Sequence, residues 1–171
     1  MNLLSITQKY IKKLISIYHT TKARQICKSI GYDTKVNHKC NFTKNTIIGN
    51  NCHFNGMTVN GNGKLTIGDN FHSGSECLII TQNHNYDFGI QLPYDDTYIL
   101  KDVTIGKNVW FGSRVLILPG TTIEDGCIIQ AGSVVHGICP KCSICGGNPA
   151  KIIKYRNIDH YNKLDNERKY H

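Results

Sequence analysis

A six-residue beat of large apolar side chains runs through most of this chain and decides what it can fold into. One run reads Ile30, Val36, Phe42, Ile48 and Phe54; a second reads Ile105, Phe111, Ile117, Ile123, Ile129 and Val135. With 40% of residues apolar, eleven such hits have chance odds of roughly 0.4 to the eleventh power, a few in a hundred thousand. A period of six fits neither an amphipathic helix nor an alternating strand, and it is the mark of hexapeptide β-helix repeats. Small or β-branched side chains form a second beat four residues later. They are Thr34, Cys40, Thr46, Cys52 and Thr58 in the first run, then Val109, Val115, Thr121, Cys127, Ser133, Cys139 and Cys145. Glycine often follows the first beat, at Gly31, Gly49, Gly68, Gly74, Gly106 and Gly112. The pattern predicts a short flat strand and a sharp corner, repeated, with glycine supplying positive φ at the corner. Three sides close a triangular coil of about eighteen residues, so that Ile105, Ile123 and Lys141 stack about 4.8 Å apart.

The beat also divides the chain. Residues 1–29 read as a helical cap, 30–154 as an all-β solenoid, and 155–171 as a polar tail. In the tail, Ile158, Tyr161 and Leu164 predict a short capping helix. The rhythm slips near Asn60, where Asn60-Gly61-Asn62-Gly63 adds a residue before Ile67, and resumes as Ile67, Ser73 and Ile79. It then stops from Gln82 to Asp102. An aperiodic loop of that length in a compact domain is usually functional. Because Val103 regains the phase, the loop is expected to project from one corner and leave the stack undistorted.

At the N-terminus, Leu4, Tyr10, Ile11, Leu14, Ile15 and Tyr18 follow helical spacing among Lys9, Lys12, Lys13 and Lys22. Such a basic helix suits peripheral contact with an anionic membrane. The favoured expectation is a cap over the open end of the stack, which otherwise exposes strand edges. No segment approaches the ~20 apolar residues of a membrane span.

The net charge of +8 invites nucleic acid, a membrane surface or a phosphorylated small molecule as partner. No nucleic-acid signature is present and arginine is scarce, so nucleic acid is not expected. Eight cysteines raise the question of disulfides or metal, above all Cys139, Cys142 and Cys145 in C-x-x-C-x-x-C. Six cysteines fall on the small-residue beat and read as buried packing thiols. No metal is expected, and the setting reads as reducing and cytoplasmic.

Among eight histidines, His84 alone sits in the extruded loop, beside Asn83, Asn85, Tyr86 and Asp87. Imidazole serves as a base near neutral pH when a neighbour orients its second nitrogen. His38, His53 and His72 lie within coils at surface positions. Trp110 precedes the beat residue Phe111, so its ring is expected to face outward and touch a ligand or partner.

TQNHNYD (81–87), VTIGKNVWFGSRVLILPGTTI (103–123), IIQAGSVV (128–135) and GGNPAKII (146–153) together make the chain resemble the hexapeptide-repeat acyltransferases. Specifically, it resembles the maltose/galactoside O-acetyltransferases and their relatives acting on bacterial surface polysaccharides. The resemblance implies a left-handed parallel β-helix, a homotrimer with active sites between subunits, and acetyl-CoA as donor. It implies that His84 is the catalytic base and that Trp110 lies near the acceptor pocket. Ser113 and Ala131 match positions lining the pantetheine arm, and Lys151 and Lys154 match basic positions near the nucleotide. His136-Gly137 stands where the family often has Thr-Lys, so one phosphate contact is either lost or taken over by Lys141. Asn55, next to Phe54, stands beside the position of the family's acceptor-contacting asparagine. Asn55, Asn83, Asn85, Tyr86 and Trp110 are the expected acceptor contacts, with Asp87 or a main-chain carbonyl orienting His84. The expected reaction is O-acetylation of a sugar hydroxyl on a surface polysaccharide or its precursor. The alternatives are N-acetylation of a nucleotide-linked amino sugar and a structural β-helix that binds a partner.

Overall fold

The computed structural model describes residues 3–171, with side chains from residue 6 onward; the side chain of Leu4 lies outside the described residues. It is an all-β parallel solenoid with three flat faces. The first sheet stacks six strands: Ser29–Ile30, Thr46–Ile48, Leu65–Ile67, Val103–Ile105, Thr122–Ile123 and Ile138–Cys139. The second has seven, from Lys35–Val36 to Ser143–Gly147 and Ala150–Tyr155. The third has four, from Met57–Asn60 to Val134–Val135, and Asn41 bridges to Thr58 at its start.

The beat residues form the core. Ile48, Ile67, Ile105 and Ile123 sit in register inside the first sheet. Phe111 and Ile129 do so in the second, and Ile79, Ile117 and Val135 in the third. Each is almost wholly buried, and Phe71 meets Phe111 edge to face at 5.0 Å. Ile30 is only half-buried, because the first coil has a neighbour on one side alone.

Three readings of the rhythm change. The slip near Asn60 is two compensating events: Met57 and Val59 are buried while Thr58 is half-exposed. One residue is lost in the corner at Asn55-Gly56, where Gly56 has φ +125°, and two are gained before Ile67. At the far end Ile123 pairs with Cys139 and not with Lys141. The corner at His136-Gly137 is two residues short and turns on Gly137 at φ +73°. Cys139 and Cys145 therefore take large-residue positions, under Ile123 and Ile129, and Ser143 takes the small one. Third, the glycines after the beat do not use positive φ. The left-handed residue comes two places later, at Asp33, Asn51, Asn70 and Asn108. Glycine is needed because the next coil passes against it: a Cβ on Gly68 would lie 2.7 Å from the carbonyl carbon of Gly106.

Helix α1 (Leu3–Ile26) packs on the first coil through its second half. Ala23 and Cys27 are buried, Val36 N–H donates to Thr20 Oγ1 at 2.9 Å, and Ser16 Oγ donates to Asn37 at 3.2 Å. The helix leaves Tyr10, Ile11, Leu14, Ile17 and Tyr18 exposed, so the cap is partial. Among the described residues no helix is long and apolar enough to cross a membrane. Helix α2 (Ile158–Asn166) begins at Asn157, whose side chain accepts from His160 N–H. It docks along a corner and does not cover the end. Tyr161 is buried over Gly126, where a Cβ would meet its ring at 2.7 Å, and Asn108 Nδ2 donates to its hydroxyl at 2.9 Å.

Candidate active site

The aperiodic segment is a β-hairpin. Gln82–His84 pairs antiparallel with Tyr98–Leu100, and Val103 returns to register with Leu65. The hairpin leaves the corner between the third and first sheets, as the regained phase requires. Its tip is held by its own polar groups. Asp95 accepts from the N–H groups of Ile90 and Thr97 and from the Thr97 hydroxyl. Those hydrogen bonds hold its carboxyl below the usual carboxylate range. Asn85 uses both ends of its amide inside the loop, donating to Thr97 Oγ1 at 3.0 Å and accepting from Phe88 N–H at 3.1 Å. The tip's apolar side chains have no such cover: Phe88 is 86% exposed, Ile90 89% and Leu92 94%.

His84 ends the first hairpin strand, opposite Tyr98. Its ring stacks on Tyr94, with centroids 3.8 Å apart and planes 20° apart, and Tyr98 flanks it at 4.7 Å. Its Nδ1 is buried and has no hydrogen-bond partner. Buried polar atoms are rarely left so. Asp87 and Tyr86 are exposed and Asn83 is half-buried. The two tyrosines were not singled out from the sequence; aromatic residues at 94 and 98, next to a loop histidine, were the available signal.

The other predicted residues lie on different edges of the prism. Ser113 and Ala131 share the corner between the second and third sheets, one coil apart: Gly132 N–H donates to Ser113 O at 2.9 Å, and Ser75 N–H to Ser113 Oγ at 3.2 Å. Asn55 lies lower in that corner, bonded to Asn37 at 3.0 Å and to Ser73 O at 2.7 Å. Small residues keep this edge shallow, and a Cβ on Gly132 would meet nothing within 4 Å. Lys151 and Lys154 are exposed on the last strand, paired with Gly146 and Ile144. A strip of backbone with cations at one end suits a long, flexible, phosphorylated ligand. His136 and Gly137 are exposed at the shortened corner between the third and first sheets, whereas Lys141 stands at the next corner, between the first and second sheets, where its N–H donates to Glu124. Within the single chain, then, Ser113, Ala131 and Asn55 share an edge, and His84 stands on another.

Trp110 faces outward, 55% exposed, in a column with His72 and Ile128 on the second sheet. It lines a cavity of ≈ 350 Å³ with His72, Tyr161, Tyr170 and His171. His53 lies one coil before His72 in that column. Burial lowers the His53 pKa and brings that of His72 down to about 4.

All eight cysteines are free. Burial pushes Cys27 up to about 12 and Cys40 and Cys52 up to about 11. Cys139 and Cys145 face the core, and Cys142 turns at φ +60°. Among the described residues these sulfurs form no metal-sized group.

The family of bacterial transferase hexapeptides (six repeats) matches residues 102–137. A Staphylococcus aureus protein named an acetyltransferase is 35% identical over 156 residues, 91% of this chain and 71% of its own length. A Mycobacterium tuberculosis protein, also named an acetyltransferase, is 40% identical over 95 residues, 55% of this chain but only 31% of its own length. The chain thus spans about a third of that relative. Among solved structures, a galactoside acetyltransferase in complex with coenzyme A is 28% identical, with a TM-score of 0.71 over 83% of this chain and 72% of that one. Repeat, coil and similarity agree: the chain belongs to the hexapeptide-repeat acetyltransferases and is related to the galactoside enzymes.

Proposed function

We propose that this chain transfers an acetyl group from acetyl-CoA to a sugar hydroxyl, with His84 as general base. Acetyl-CoA is the donor, as the related galactoside enzyme with bound coenzyme A supports. The observation that carries the assignment of the base is an imidazole stacked on Tyr94 and flanked by Tyr98 on a hairpin ejected from the solenoid. His84 accepts the proton of the attacking hydroxyl as the sugar oxygen bonds to the acetyl carbon. The carbon–sulfur bond breaks, and the CoA thiolate takes the proton from the imidazolium. The buried Nδ1 needs an acceptor, and Asp87 or a main-chain carbonyl of the docked loop fills that role. A base so placed contributes about 10²–10⁴-fold, and joint binding of donor and acceptor contributes further.

The chain works as a homotrimer with its sites between subunits. Phe88, Ile90 and Leu92, nearly bare in one protomer, support this. Docked on a neighbour, the hairpin sets His84 beside the edge built by Ser113 and Ala131, where the pantetheine arm lies. His136, Gly137, Lys151 and Lys154 meet the phosphates and nucleotide. Asn55, Asn83, Asn85, Tyr86 and Trp110 meet the acceptor, a surface polysaccharide or its precursor. The exposed apolar side chains of α1, interleaved with Lys9, Lys12 and Lys13, support contact with an anionic membrane that carries such a substrate.

The test is thiol release from acetyl-CoA across a panel of sugars, nucleotide sugars and amino sugars. A hydroxyl acceptor is expected to turn over, and His84→Ala to lose at least about a hundredfold while CoA still binds. Full activity in His84→Ala rejects the base. Turnover only with amines rejects the hydroxyl acceptor.

A further inference from the structure

We propose that His53, His72 and His171 bind one divalent transition-metal ion of the zinc class. No step of the acetyl transfer uses these three residues. Each offers a nitrogen, and the three nitrogens all lie within 4.8 Å of one another. His53 and His72 occupy matching outward positions on adjacent coils of the second sheet, which holds their rings 4.5 Å apart. His171 comes from the tail and faces both, with ring centroids 6.4 Å from His53 and 5.4 Å from His72.

An independent observation points to a ligand. His53 Nε2 is buried and has no hydrogen-bond partner. A buried imidazole nitrogen facing other imidazoles lacks an electron-pair acceptor, and a metal ion supplies one. Zinc–nitrogen bonds of 2.0–2.1 Å set ligand nitrogens about 3.3 Å apart in a tetrahedron, so each ring must move by roughly 1 Å. His171 is exposed and free to supply most of that shift. Three nitrogens and no oxygen donor select zinc, nickel or copper over magnesium or calcium.

The tail is already anchored beside the site. Tyr170 Oη donates to the Asp165 carboxylate at 2.8 Å, and Asn51 Nδ2 donates to His171 O at 3.0 Å. Lys35, next to His53 in the column, is the charge that opposes the ion. Three imidazoles leave a fourth position for water or a small ligand. His72 and His171 also line the cavity that holds Trp110, so the ion closes one wall of that cavity by tying the tail to two coils.

The experiment uses the full chain without a histidine tag. Equilibrium dialysis against Zn²⁺ and visible absorption with Co²⁺ are measured on the parent, His171→Ala, His72→Gln and the surface control His38→Ala. The expected result is one Zn²⁺ per chain, unaffected by excess Mg²⁺, with four-coordinate Co²⁺ bands. His171→Ala and His72→Gln are each expected to weaken binding at least tenfold and remove the bands, and His38→Ala to change neither. His171→Ala alters only an exposed tail residue, so a folding defect would not mask its result. Absence of a stoichiometric ion in the parent overturns the proposal. So does binding that His171→Ala leaves intact.

Discussion

His84 lies flat on Tyr94, 3.8 Å between ring centroids, so the tyrosine sets the plane of the imidazole. Tyr94→Phe keeps the stack and is expected to retain activity within a few-fold. Tyr94→Leu removes the flat support and is expected to lower kcat by about tenfold or more with little change in the KM for acetyl-CoA, since small misplacements of a reacting group are costly. Steady-state kinetics on the two variants reads the difference.

Leu92 is the most exposed large apolar side chain of the hairpin tip. Leu92→Asp is expected to break the proposed trimer into monomers, read by light scattering, and to lose activity with it. The β-helix itself should keep its circular dichroism, because the tip touches none of the core.

Two corner glycines separate close approach from backbone conformation. A Cβ on Gly112 would sit 2.5 Å from Ala131 N, against the backbone of the next coil. Gly132 has φ +72° and open space around it. Gly112→Ala is therefore expected to destabilise by more than about 2 kcal/mol, in the range of overpacked cores. Gly132→Asn, a residue that tolerates the left-handed region, should cost less than about 1 kcal/mol. Urea midpoints on both variants check the contrast.

Lys107 donates to Asp165 at 2.9 Å and, with Tyr170 and Asn108, holds its carboxyl below the usual range. A carboxylate whose folded pKa is depressed contributes stability above its unfolded pKa, and that contribution is lost as pH falls through the folded value. The tail is thus expected to loosen below about pH 4. Trp110 is the sole tryptophan and lines the cavity under the tail, so its fluorescence reports the event. Asp165→Asn should show the loosened signal at neutral pH. The pair is partly exposed, so the effect on global stability stays below about 1 kcal/mol.

The thiols give a further check. Seven of the eight cysteines are buried and Cys40 is half-buried, and burial raises the pKa of Cys27, Cys40 and Cys52 to about 11 or above. A thiol reagent at pH 8 is expected to label the native chain slowly, Cys40 first, and all eight on unfolding. Replacing Cys139, Cys142 and Cys145 together should leave the chemistry intact in folded protein, since no covalent acyl-enzyme is needed.

The solenoid was legible because its period is written in buried residues. Ten of the eleven beat positions are buried, and only Ile30, at the end of the stack, is not. Corner lengths were less legible. Asn55-Gly56 and His136-Gly137 look like ordinary glycine corners, and their missing residues emerge only when the strands pair. For that reason an unbroken six-residue count reaches Lys141, two residues past Cys139, which stands under Ile123. The glycines after the beat were visible, but their reason was not: a clash with the neighbouring coil depends on residues eighteen or more positions away. In the loop His84 stood out by its chemistry, whereas Tyr94 and Tyr98 needed the hairpin fold to bring them to it. His53 and His72, nineteen residues apart, share an outward position in successive coils, a signal available in the sequence once the slip is counted.

The last coil is two residues shorter than its predecessor, and the strand Ala150–Tyr155 then doubles back antiparallel against Ser143–Gly147. A stack of parallel rungs would otherwise offer its final edge as a template for another chain. Narrowing and reversal blunt that edge at one end. End-on strand pairing with another chain is thereby disfavoured at this face of the stack.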